Sequence, residues 1–130
     1  MRAKSMFAIK SWDEKPYSDA EGMPRLTRSS VVKTFTGDIE GESDLEYLMM
    51  YRPDGTATFV GLERVIGRIG GRSGSFVLQR SGTFDGAVAR ESYSVVPGSG
   101  TGELAALRGE GSCAAGHAKE NPMELEYDFG

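Results

Sequence analysis

The stretch Leu45-Glu46-Tyr47-Leu48-Met49-Met50-Tyr51, then Arg52-Pro53-Asp54-Gly55-Thr56, then Ala57-Thr58-Phe59-Val60-Gly61-Leu62-Glu63 decides the fold. Proline presets the first turn angle, and glycine takes the positive-φ position that closes a three-residue hairpin loop. Setting Arg52 opposite Thr56 places Met49 opposite Phe59, Tyr47 opposite Gly61 and Leu45 opposite Glu63. Side chains alternate across a strand, so Ile39, Gly41, Ser43, Leu45, Tyr47, Met49, Tyr51, Phe59, Gly61 and Glu63 share one face. The other face sets Asp44 against Arg64 and Glu40 against Arg68. Such cross-strand charge pairs contribute roughly 0.2–1 kcal/mol each and suit an exposed surface. The odd face is therefore inward, and it carries one carboxylate, Glu63, among large apolar residues.

Outward from this hairpin the pattern stays extended. Phe7 to Trp12 reads as a first strand, and Asp13 to Arg25, with Pro16, Gly22 and Pro24, as a long loop. Leu26 to Gly37 is a second strand and Ile39 to Tyr51 a third. A hairpin turning at Ile69-Gly70-Gly71 returns through Ser75 to Gln79. Pairing Gly61 with Gln79 there points Val77 and Gln79 inward. Asp85-Gly86 offers a two-residue turn into Ala87 to Val96, with Ser92, Ser94 and Val96 inward. Thr101 is placed to cap one short helical turn that Gly109 ends, Ser112 to Asn121 reads as a polar linker, and Leu125 to Phe129 as a closing strand. Seven or eight antiparallel strands with at most one helical turn predict an all-β, eight-stranded barrel, which leaves no sheet edge open.

The chain's 130 residues suit one domain, 1–130. Hydrophobic residues at 38% supply one core, and a net charge of −4 without a basic stripe argues against nucleic acid. No segment has the roughly 20 apolar residues of a membrane helix, and Met1 to Phe7 has no apolar core of signal length. One cysteine, Cys113, excludes an internal disulfide and fits a reducing cytoplasm. With one histidine, His117, in a small-residue segment expected to be mobile, the ligands of a typical zinc site are missing, and no metal is expected. The acidic series Asp38, Glu40, Glu42, Asp44, Glu46 lacks a calcium-loop spacing and reads as a solvated face. A one-residue slip would instead bring Glu40 and Glu42 inside with Glu63.

Glu63 is the leading acid/base candidate, because burial raises a carboxylate's pKa. The structural alternative pairs it with Arg72 or a tyrosine hydroxyl. Tyr47, Tyr51 and Gln79 are candidates to orient a substrate by hydrogen bonds, Phe59 to wall it in, and Arg72 to meet an anionic group at a barrel mouth. Glu103 suits capping the helical turn.

Three motifs carry a resemblance: Gly37-Asp38-Ile39-Glu40-Gly41-Glu42-Ser43, Gly71-Arg72-Ser73-Gly74-Ser75-Phe76-Val77-Leu78-Gln79 and Gly98-Ser99-Gly100-Thr101-Gly102-Glu103-Leu104. Together they resemble a bacterial domain family of unknown function across nearly the whole chain. That family resembles, more distantly, the allene oxide cyclases and dirigent proteins, whose glycine-rich segment Gly100 to Gly109 is similar to. The resemblance implies a barrel that works without a cofactor on a small hydrophobic molecule, often as a homo-oligomer. Cyclisation or isomerisation is the activity implied; the catalytic residues of those groups do not align here. The alternatives are a carrier barrel without turnover and a structural oligomerisation module with a packed interior.

Overall fold

The computed structural model describes residues 1–130. Nine strands run β1 (Arg2–Ser18), β2 (Arg25–Gly37), β3 (Ile39–Tyr51), β4 (Ala57–Ile69), β5 (Arg72–Phe84), β6 (Ala89–Val95), β7 (Thr101–Gly102), β8 (Arg108–Ala115) and β9 (Asn121–Asp128). Eight of them close in the cyclic order β1-β2-β3-β4-β5-β6-β8-β9, all antiparallel, while β7 lies beside the start of β5. The β3–β4 register is the one the hairpin loop dictates, with Met49 opposite Phe59 and Leu45 opposite Glu63. Arg52 N–H donates to the Thr56 carbonyl at 2.8 Å, which fixes the loop. The carboxylates at 40, 42, 44 and 46 all lie on the exposed outer face.

Four expectations are corrected. Residues 13–18 continue β1 rather than forming a loop, paired with β2 up to Ser18, so the connection is only residues 19–24. This stretch of β1 has no second neighbour, since pairing with β9 stops at Phe7, and an edge strand tolerates Pro16. A bulge at Lys10 changes parity: Ala3, Ser5 and Phe7 point in before it, Trp12 and Glu14 after it. Second, residues 112–115 are not linker but the end of β8. Third, residues 103–106 form successive turns rather than one helical turn ended by Gly109, which lies within β8, and they fold Leu104 and Leu107 into the core. Ser73 N–H donates to the Glu103 carboxylate at 3.1 Å, which fastens that segment to β5.

Fourth, β5 enters the interior with the opposite face from the one expected. Gly70 and Gly71 both have positive φ, at 60° and 78°, forming a two-residue turn with Ile69 opposite Arg72. That turn is one residue tighter than the pairing of Gly61 with Gln79 requires, and Gly61 instead faces Arg80. A one-residue slip exchanges the two faces of a strand. Phe76, Leu78 and Arg80 are therefore inside, and Val77 and Gln79 point outward. The exchange passes on to β6, where Glu91, Tyr93 and Val95 are inside while Ser92 and Ser94 are exposed.

The interior divides along the barrel axis. At the end carrying the 37–38 and 70–71 turns, fourteen buried apolar residues, Phe35, Ile39, Phe76, Leu78 and Leu125 among them, form one cluster that Leu104 and Leu107 close. At the other end is a smaller cluster of six, of which Tyr47, Met49 and Phe59 line a void.

Candidate functional site

Between the two clusters lies a layer of buried charge. Glu63 is fully buried, and its Oε1 accepts from Arg80 Nε at 2.7 Å, with Arg80 Nη2 also at 2.7 Å. Its Oε2 accepts from the Ser43 hydroxyl at 2.7 Å and faces Lys33 Nζ at 3.5 Å. Arg80 Nη1 reaches toward Glu91 Oε1 at 3.6 Å, and the Tyr47 hydroxyl donates to that same oxygen in a short hydrogen bond. Two basic side chains thus face two carboxylates inside the barrel, where an uncompensated charge would be very costly.

The two tyrosines of this region are placed by glycines. Tyr47 faces Gly61 and Tyr93 faces Gly111 across neighbouring strands, and each ring occupies the space a β-carbon would fill. A methyl at Gly61 would lie 2.7 Å from the Tyr47 ring and 2.6 Å from the Glu46 carbonyl. Held flat in this way, Tyr47 presents its hydroxyl to Glu91, and Tyr93 presents its face to the Arg80 guanidinium at 4.5 Å.

Above the charged layer is a cavity of about 210 Å³ that opens at the end formed by the 52–56, 85–88 and 116–120 connections. Its walls are mostly apolar, from Phe7, Met49, Phe59 and Phe84 to Trp12 and Tyr51 near the mouth. Lys33, Tyr47 and Glu91 supply its inner polar groups, and His117 stands at the rim rather than in a remote tail. A second polar knot tightens the mouth. Glu14 Oε2 accepts from Thr27 and Tyr51, each at 2.7 Å, and Oε1 accepts from the Trp12 indole at 3.0 Å.

The candidates separate accordingly. Tyr47, Tyr51 and Phe59 line the cavity. Glu63 points inward but sits beneath the cavity, enclosed by Arg80, Lys33 and Ser43. Arg72 is at the opposite end of the barrel, its guanidinium 3.8 Å over the Phe129 ring, and Gln79 is exposed on the outer wall. Lys33, Arg80, Glu91, Trp12 and Glu14 were not anticipated. Two of them had a signal in the sequence: Lys33 falls between Val31 and Phe35, and Arg80 two residues after Leu78. Each sits where the pleat demands an inward side chain.

The electrostatics reverse the expectation for Glu63. Burial alone pushes its carboxyl up, but Arg80, then Lys33 and the Ser43 hydrogen bond, hold it below the usual carboxylate range. It is a locked carboxylate rather than a poised acid. Burial and the Arg80 charge push the Lys33 ammonium below the ordinary lysine range against the pull of Glu63 and Glu91. Burial and Glu91 raise the Tyr47 phenol well above its normal value, so it remains a hydrogen-bond donor. Tyr51 is pushed up to about 12 by burial and its bond to Glu14.

A closed antiparallel barrel with a charged midlayer beneath an apolar, open-ended cavity is the class of protein these features define. Residues 3–127 match the family described as "Protein of unknown function (DUF3224)", and the chain belongs to that family. It is similar to the crystal structure of a protein of unknown function from the same family in Shewanella oneidensis MR-1. The two are 32% identical with a TM-score of 0.81, over 100% of this chain and 98% of that one. No curated protein matches the chain. No helix is long and apolar enough to cross a membrane.

Proposed function

We propose that the barrel binds one small, mostly apolar organic molecule in its cavity and rearranges it without a cofactor. The observation that carries this reading is the cavity itself, an apolar pocket of about 210 Å³ with its polar groups gathered at Lys33, Tyr47 and Glu91. An apolar cavity of ~150 Å³ accepts a benzene-sized guest, so this one suits a molecule of on the order of ten non-hydrogen atoms. Within that reading the acid/base role moves from Glu63 to Glu91. Its Oε1 is held by the Tyr47 hydroxyl and faces Arg80 Nη1 at 3.6 Å, and Oε2 has no hydrogen-bond partner in the protein. A carboxylate so oriented takes a proton from one carbon of a bound molecule and returns it to another, which is an isomerisation.

The distant likeness to allene oxide cyclases and dirigent proteins agrees with such chemistry. A homo-oligomer is part of the same proposal, supported by the outward-facing Leu48, Val60, Leu62 and Ile66, each at least half exposed. A reducing, cytoplasmic setting fits the free thiol of Cys113. A packed structural module is the less favoured reading, since such a module needs no void.

The test is native mass spectrometry of protein purified from its own host, searching for a retained small molecule, repeated with Ala115→Trp. The parent is expected to carry a ligand and the filled variant to lose it. Identical spectra for both, with no ligand in either, would remove the binding reading. With a ligand in hand, Glu91→Gln separates enzyme from carrier. Retained binding with lost turnover supports the isomerase, and unchanged turnover removes Glu91 from the chemistry.

A further inference from the structure

We propose that Lys33 Nζ captures carbonyl compounds, so that the molecule the cavity accepts is a small apolar aldehyde or ketone held as an imine. The inference rests on the binding reading and narrows its substrate class. Lys33 is the one lysine of the barrel interior; Lys4, Lys10, Lys15 and Lys119 are exposed. It lines the cavity, with Nζ 4.6 Å from the Phe7 ring centre.

Of the contacts to Glu63, that of Lys33 is the longest. Arg80 and Ser43 each hydrogen-bond Glu63 at 2.7 Å, whereas Lys33 approaches only to 3.5 Å, without a hydrogen bond. Glu63 is therefore compensated without it, and the amine is left facing the void. A desolvated lysine beside a second cation is the arrangement that leaves an amine unprotonated and nucleophilic. The lowered basicity of Lys33 has those same two causes, burial and Arg80.

The step balances on groups the cavity holds. The Nζ lone pair adds to the carbonyl carbon, the ammonium so formed gives a proton to Glu91, and the alkoxide oxygen becomes a hydroxyl by taking a proton back. Glu91 then passes the remaining N–H proton to that hydroxyl, which leaves as water while the nitrogen lone pair forms the C=N bond, and Glu91 ends ionised as it began. No oxidant or reductant is consumed, and the water leaves through the open mouth. The imine withdraws electrons from the adjacent carbon, which makes its C–H the proton that Glu91 is placed to remove.

The test uses benzaldehyde with sodium cyanoborohydride at neutral pH, peptide mapping of the benzylated lysines, and benzyl alcohol as a guest of similar size that cannot form an imine. Trp12, the single tryptophan, lines the cavity and reports occupancy by fluorescence. Expected are a Trp12 response to benzyl alcohol and benzylation of Lys33 on the order of tenfold faster than of the exposed lysines. Lys33→Arg is expected to keep the Trp12 response and lose the internal adduct. A Trp12 response with label confined to the exposed amines would overturn the inference and leave binding intact. No Trp12 response and no internal label would overturn both. Should Lys33→Arg not fold, the peptide map of the parent still decides.

Discussion

The closed end and the hollow end of this barrel are built from the same strands, yet only one is filled. Phe35, Ile39, Phe76 and Leu125 meet across the closed end beneath Leu104 and Leu107, delivered by the turns at 103–106. At the hollow end nothing comparable enters. There β1 leaves β9 after Phe7, and small residues such as Ala89 and Ala115 stand on strands where large ones would fill the space. Stability is concentrated in one half and free volume in the other, with the charged layer as the wall between them. A barrel of eight strands has room for side chains or for one small guest; this one divides its length between the two.

The wall gives the largest expected effect. Arg80→Ala leaves Glu63 and Glu91 buried without their main counter-charge, and loss of one partner of such a network costs about 3–5 kcal/mol. Urea denaturation should show that loss, and the double replacement Glu63→Leu with Arg80→Met should recover most of it. A single variant as stable as the parent would mean the layer is hydrated in solution and does not divide the barrel.

Acid should attack the same wall. Glu63 has a folded-state pKa below its unfolded value of about 4.3, so the folded state binds fewer protons. Its contribution is complete above that unfolded value and is lost as pH falls through the folded one. Lys33 is also lowered, which acts at the other end of the scale. The unfolded chain binds the extra proton, so stability rises with pH between the folded Lys33 value and about 10.4. Lys33→Met should erase the alkaline rise and keep the acid loss, and stability curves from pH 2 to 11 would check both limbs.

The two ends can also be compared with the same substitution. Phe76→Ala, in the packed half, opens a cavity among immobile neighbours and should cost roughly 3–5 kcal/mol. Phe84→Ala, at the half-buried margin of a void that already exists, should cost about 1 kcal/mol or less. Equal losses by chemical denaturation would show that the hollow end closes when empty.

The sequence disclosed this division unevenly. The β3–β4 hairpin was legible to the residue, because Pro53, Asp54 and Gly55 allow one loop geometry and alternation does the rest. The inward position of Glu63 followed directly. Its partners did not, because Gly70-Gly71 suits more than one turn length, and one residue there decides whether Gln79 or Arg80 enters the barrel. The rim residues Trp12 and Glu14 were hidden by the bulge at Lys10 and by Pro16, which made an edge strand read as a loop. Arg72 was misplaced for a different reason: a strand pattern shows which face a side chain takes, but not which end of a barrel is open.

The smallest expected effect bears on why the hollow end stays hollow. Ala89→Leu adds three carbons facing the cavity, each worth roughly 0.8 kcal/mol when fully buried. Lost rotamer freedom and incomplete burial at an open mouth reduce that sum to a net gain of about 1 kcal/mol. The gain should appear as a higher urea midpoint with an unchanged slope, alongside a lost Trp12 response to benzyl alcohol. Stability and occupancy moving in opposite directions would identify the void as space held open at the expense of folding, as expected where binding requires it. If Ala89→Leu instead destabilises the barrel, the walls cannot absorb a larger side chain and the cavity is a packing constraint of strand geometry.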